Sequence, residues 1–217
     1  MSIELCGEKS SPSEAIWPYT YLYMEANQVS FRTHENMQDV LYKPGAEGPA
    51  NHYLMLRGGV DTGNVTIWER GVVGGEYIKS FGHYHTWDFQ ETYHIVSGEG
   101  VALMQKRVTG EDGSPTSSAI EDFRVLRVHA GDTLDIPLGY GHILCNIGNT
   151  FLITVDNSPS DPQTAKTKPH ADYEPIRFLH GFAFYLVERD GKPALLRNQN
   201  YGEIKNMYAA DIPIVDQ

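Results

Sequence analysis

The chain has 217 residues, 41% of them hydrophobic, enough for one core with extensions or two small domains and too apolar for a disordered polymer. A formal net charge of −11, with no local run of Lys or Arg, argues against a nucleic-acid or anionic-membrane partner, since either needs a basic footprint. An anionic small substrate stays open, because the local field of a cavity can oppose the charge of the whole protein.

Met1 to Ser11 carry no apolar run behind a basic start, so no secretory signal is expected. Eighteen consecutive apolar residues occur nowhere, and no membrane span is expected. Cys6 and Cys145 are too few for a disulfide scaffold and suit a reducing cytoplasm, the expected location. Residues 1–50 read as an N-terminal extension. Within it, 33–41 predict a short helix with Met37, Val40 and Leu41 on the inner side, stopped by Lys43-Pro44-Gly45.

The texture changes over residues 51–160. Short β-rich runs follow at 52–57, 64–69, 76–81, 92–97, 101–107, 123–128, 133–136, 143–147 and 151–156. Turn residues separate them, among them Gly58-Gly59, Gly98-Glu99-Gly100, the stretch 110–118 and Pro137 to Gly141. This regular succession predicts an all-β sandwich or barrel. Residues 161–217 read as a loop, a hairpin and a tail. The polar stretch 156–171, with Pro159, Pro162 and Pro169, has the character of a loop or lid. Residues 182–188 and 194–197 predict a last hairpin across Arg189-Asp190-Gly191-Lys192.

The most informative stretch runs from Gly82 to Glu91. On a strand, residues two apart share a face, so His83 and His85 can converge on one ion. Five residues then allow a turn, and Glu91 opens the next strand, which can return antiparallel beside the first. His142 stands in a second constellation with Gly131, Pro137, Gly139 and Asn146. His94 alternates to the other strand face from Glu91 and Tyr93 and is left outside. His34, His52, His129 and His180 have no partner pattern and read as ordinary polar residues.

These two constellations resemble the two motifs of the cupins. His83, His85, Glu91 and Gly98 fill the first motif, and Gly131, Pro137, Gly139, His142 and Asn146 fill the second. The resemblance implies an all-β fold, a cupin double-stranded β-helix or jelly-roll barrel with N- and C-terminal extensions. It also implies that His83, His85, Glu91 and His142 ligate one divalent metal. Three imidazoles and a carboxylate suit an open-sited ion, Fe²⁺ foremost, with Mn²⁺, Ni²⁺, Co²⁺ or Zn²⁺ as alternatives. Cupins commonly pair through barrel-edge strands, so a homodimer is expected.

Within the cupins, residues 64–173 resemble the archaeal-type glucose-6-phosphate isomerases. Lys79 to His85, followed by Glu91-Thr92-Tyr93, stands where that family has T-K-G-H-F-H and E-x-Y. His170-Ala171-Asp172-Tyr173 stands for its H-D-Y element, with one residue inserted. The spacer before Glu91 is one residue shorter, and Ser80 replaces the usual threonine. The resemblance implies that Glu91 is the base of an aldose–ketose isomerisation and that Tyr93 bonds the sugar oxygens. By the same resemblance Thr66, Ser80, the Gly82 backbone, His170 and Tyr173 bind a sugar phosphate. Lys79 alternates to the strand face opposite Ser80 and reads as a solvated charge. The same ligand set also serves cupin dioxygenases, an epimerase or lyase is close in chemistry, and a non-catalytic sugar-phosphate-binding cupin is the third reading.

Overall fold

The computed structural model describes residues 28–60, 63–160, 169–209 and 211–216. Cys6, the N-terminal 27 residues and positions 161–168 of the expected loop lie outside the described residues. The elements begin with β1 (Gln28–Thr33), helix α1 (His34–Met37), a 3₁₀ turn (Gln38–Val40), β2 (Asn51–Val60) and β3 (Gly63–Trp68). Next come β4 (Val72–Val73), β5 (Glu76–Tyr77), β6 (Tyr84–His85), β7 (Glu91–Ser97), β8 (Glu99–Thr109) and β9 (Pro115–His129). β10 (Thr133–Ile136), β11 (Tyr140–Asn146), β12 (Leu152–Asp156), β13 (Ala171–Asp172) and helix α2 (Glu174–Phe178) follow. The chain closes with β14 (Phe184–Arg189), β15 (Lys192–Arg197), β16 (Ile204–Tyr208) and β17 (Ile214–Val215).

The architecture is the expected all-β cupin jelly roll. One sheet runs β1-β2-β3-β12-β7-β10 and the other β11-β8-β9-β16. The segment from Ile78 to His83 runs beside β11 on bonds from Ser80 N to Leu144 O, Asn146 N to Ile78 O and His142 N to His83 O. Period-two alternation explains the first sheet. Leu54 faces Ile67, Leu56 faces Val65 and Ile153 faces Ile67, forming one apolar cluster. Tyr53 opposite Trp68, and Met55 opposite Thr66, lie on the other face. Each buried Leu or Ile contributes about 1.5–3 kcal/mol, so a one-residue slip, which would exchange this apolar face for the one carrying Tyr53, Met55 and Thr66, is strongly disfavoured.

The helix expected over 33–41 is present as α1 and the 3₁₀ turn. Thr33 caps it, with Oγ1 accepting from Asn36 N, and Met37, Val40 and Leu41 are buried. The C-terminal hairpin is present as β14 and β15. Three strand expectations need correction. β1 was not expected, and it pairs along the outer edge of β2. β9 starts at Pro115, inside the stretch expected as turn, because the β8–β9 hairpin stays paired out to Thr109 and Pro115. The run at 76–81 is regular only at Glu76–Tyr77, since the chain there leaves β4 and β14 to cross over to β11.

Lys79 is also corrected. It does alternate away from Ser80, but that face is covered by the C-terminal hairpin and the 3₁₀ turn rather than by water. Only 1% of Lys79 is exposed. Its Nζ meets Glu76 Oε1 at 2.6 Å, donates to Val40 O at 2.6 Å and lies 5.3 Å from the Tyr185 ring. The second Glu76 oxygen accepts from Tyr42 N at 2.8 Å. Burial raises the Glu76 carboxyl above its ordinary value against the opposing pull of Lys79.

His34 and His52, expected to lack partners, pair with each other. His34 Nδ1 lies 2.9 Å from His52 Nε2, and the rings stack at 5.2 Å. The pairing joins α1 to β2, elements 18 positions apart, a distance that sequence spacing does not report. His52 is fully buried, and burial, followed by the charges of His34 and Lys79, pulls it from 6.5 down to about 4. A neutral buried imidazole makes stability depend on pH with a defined sign. The contribution is complete above pH 6.5 and is lost as pH falls towards 4, because only the unfolded chain takes up the proton. The loss is about 3 kcal/mol over that window. Denaturant titrations at stepped pH on wild type and His52→Gln should show a shallower acid decline in the variant. Equal slopes would remove His52 from the account.

Candidate metal centre

The centre forms where three backbone segments meet. Gly82 carries φ +86° and turns the chain so that His83 bridges His142 on β11. A side chain at Gly82 would bring its Cβ to 2.4 Å from Ile143 Cγ2 and 2.7 Å from Phe182 Cε2, so both conformation and space require glycine. β6 then carries His85, and the 86–90 turn returns the chain to Glu91 at the start of β7.

One ligand atom from each of His83, His85, Glu91 and His142 lies within 4.8 Å of the others. Glu91 Oε2 is 2.9 Å from His85 Nε2 and 3.0 Å from His142 Nε2. The His83 and His142 rings meet at 4.5 Å, and His83 Nε2 is buried without a hydrogen-bond partner. A buried imidazole nitrogen aimed into a cluster of donors, with nothing in the protein to satisfy it, fits a cation at that point. Burial alone would raise the Glu91 carboxyl. The His142 charge, the bonds from His142 and His85, and His83 together hold it well below the usual carboxylate range. The Ser158 hydroxyl lies against Glu91 Oε1 and Asp156 Oδ1. This contact occupies the Glu91 oxygen that faces away from the imidazoles.

Above the cluster opens a cavity lined by residues of β2, β3, β7 and the 169–173 segment. His83, Glu91 and His142 line it, while His85 stands behind them with its ring 5.4 Å from Phe89.

The model of the glucose-6-phosphate isomerase (GPI) family matches residues 45–204. The chain belongs to that family, in its cupin form. A comparison with curated proteins found no match. Among solved structures, CapF, a capsular polysaccharide assembling protein from Staphylococcus aureus, is 23% identical, with 51% of this chain and 27% of CapF covered at TM-score 0.34. A predicted oxalate decarboxylase from Thermotoga maritima is 19% identical, over 52% of this chain and 81% of its own, at TM-score 0.33. Oxalate decarboxylase from Bacillus subtilis is 19% identical, over 51% and 25%, at TM-score 0.32. The chain spans about a quarter of the length of CapF and of the Bacillus enzyme.

The residues that the isomerase family resemblance nominates for substrate all line the cavity: Thr66, Ser80, Gly82, His170 and Tyr173. Thr66 is buried on the inner face of β3. Ser80 Oγ accepts from Leu144 N at 3.0 Å and keeps its own proton free to donate. β13 pairs with β6, Ala171 opposite His85, which carries His170 and Tyr173 to the rim. The His170 ring lies 5.6 Å from His83, and burial is the chief cause that pulls it down to about 4, leaving it neutral at pH 7. Tyr173 meets Phe81 edge-on at 5.6 Å with the Arg32 guanidinium 5.3 Å from its ring. Tyr93 lies beside Glu91, its hydroxyl 3.3 Å from His142 Nε2 and kept protonated chiefly by burial. His94 points outward to Thr133 Oγ1 at 3.1 Å, and His129 and His180 are exposed.

The sequence reading missed six cavity residues of this family member: Tyr53, Met55, Arg57, Trp68, Asp156 and Ser158. Alternation could have found three of them. Tyr53 and Arg57 share a face with Met55, which pairs with the nominated Thr66. Ser158 follows the last barrel strand and gave no local signal.

Proposed function

We propose that this chain is a metal-dependent aldose–ketose isomerase that interconverts glucose 6-phosphate and fructose 6-phosphate through an enediol(ate). The carrying observation is the Glu91 carboxylate, set between the His85 and His142 imidazoles at the floor of an open cavity in a member of the isomerase family. When bound by His83, His85, Glu91 and His142, a divalent cation, Fe²⁺ in the first place, would supply a Lewis acid for the sugar oxygens. Glu91, held ionised, takes the proton from C2 of the aldose and returns it to C1. Tyr93 keeps its hydroxyl proton and donates to the oxygens between which the carbonyl moves. Thr66, Ser80 and Tyr173 orient the chain of the sugar along the cavity. We read the protein as a cytoplasmic enzyme and, by the family's habit, as a homodimer.

The test is a coupled assay of purified protein with fructose 6-phosphate, before chelation, after it, and after adding back each divalent ion. Turnover should vanish on chelation and return with at least one ion. Isomerisation that survives full metal removal would end this reading. Oxygen consumption without isomerisation would transfer the site to a dioxygenase.

A further inference from the structure

We propose that Arg57 is the charged anchor of the substrate cavity and takes the phosphate monoester, a role that deepens the isomerase reading above and rests on it. A phosphate in a half-enclosed cavity needs a countercharge as well as donors. The donors implied by family resemblance, Thr66, Ser80, the Gly82 amide and Tyr173, are all neutral.

Arg57 is the one Lys or Arg among the described residues that line the cavity. It stands on the inward row of β2 with Tyr53 and Met55. Its guanidinium makes no ion pair among the described residues, and the side-chain bond it does make, to Met55 Sδ at 3.5 Å, goes to a weak acceptor. The two cavity carboxylates are engaged elsewhere. Asp156 Oδ1 accepts from Asn64 Nδ2 at 3.1 Å and from Ser158 N at 2.9 Å, and Glu91 lies between imidazoles and Ser158. Arg57, Glu91, Tyr93 and His170 all line the one cavity. Arg57 therefore sits within reach of the same substrate that Glu91 would address. A half-buried guanidinium with its planar fork unspent matches the geometry of a phosphate. Arg32 lies over the Phe81 and Tyr173 rings, 5.8 and 5.3 Å from their centroids, and does not line the cavity.

The experiment measures inorganic phosphate binding to the metal-loaded protein by calorimetry, in wild type, Arg57→Ala, Arg57→Lys and Arg189→Ala. Arg189 is exposed on the hairpin and controls for net charge. Losing charge-assisted bonds should weaken phosphate by roughly 10- to 100-fold in Arg57→Ala, with partial recovery in Arg57→Lys and none of the loss in Arg189→Ala. The KM for fructose 6-phosphate should rise in parallel. Wild-type phosphate affinity in a folded Arg57→Ala overturns the proposal, and phosphate seated on the metal would give that result. Should the alanine variant not fold, Arg57→Gln carries the same reading. Because calorimetry needs no turnover, the two ideas fail separately. Arg57-dependent binding in a protein inert to fructose 6-phosphate would retain the subsite and remove the isomerase, while turnover with an unchanged KM in Arg57→Ala would do the reverse.

Discussion

Glu91→Gln should lower kcat for fructose 6-phosphate by about 10²- to 10⁴-fold, the contribution of a positioned general base. The substitution preserves size and can still meet the Ser158 hydroxyl, but it removes the charge that lies between His85 and His142. Metal content by elemental analysis separates the two jobs assigned to this carboxylate. A variant that keeps its metal and loses turnover has lost the base. One that loses both has lost the ligand, as His142→Ala should. Near wild-type kcat with bound metal would mean that another group carries the proton, and Tyr93→Phe would then be the next variant to measure.

Lys79→Met should destabilise the fold by about 3–5 kcal/mol, the range for breaking a buried ion pair from one side. The reason lies in what remains. Glu76 is 1% exposed, its charge is already disfavoured by burial, and without Lys79 it has only the Tyr42 amide for a partner among the described residues. The double variant Glu76→Gln/Lys79→Met should recover most of the loss, since a neutral amide still accepts from Tyr42 N and the apolar side chain fills the space beneath Tyr185. Urea unfolding of the four proteins measures the coupling. Additive effects in that cycle would show that Lys79 acts through packing alone.

Lys79 also shows where sequence reasoning stops. Alternation correctly placed it on the face opposite Ser80, but alternation says nothing about what covers a face. The cover comes from Val40, 39 positions earlier, and from Tyr185, more than a hundred later. The pairing of His34 with His52 has the same origin. Each histidine looked solitary because its partner is held by a different element.

The candidate metal centre was legible for the opposite reason. His83 and His85 share a strand face, Glu91 opens the returning strand, and Gly82 and Gly139 mark turns where the backbone takes positive φ. Type and spacing sufficed for those ligands because local backbone geometry alone brings three of the four together. His142 needed its own motif, since it lies on β11, about fifty positions beyond Glu91, and meets the others through tertiary contacts such as the bridge to His83.

By itself, then, the sequence determined a strand-rich sandwich or barrel through periodicity and turn chemistry, while resemblance of its two motifs pointed to the cupin jelly roll, the family and the four candidate ligands. Tertiary structure alone decided which charges are buried and which face the cavity. Arg57, Asp156 and Ser158 enter the site through the register of β2, β3, β12 and β7, and Lys79 leaves the solvent through a hairpin packed over it. Register and coverage depend on contacts between distant segments, and their energies are not written in any local stretch of chain.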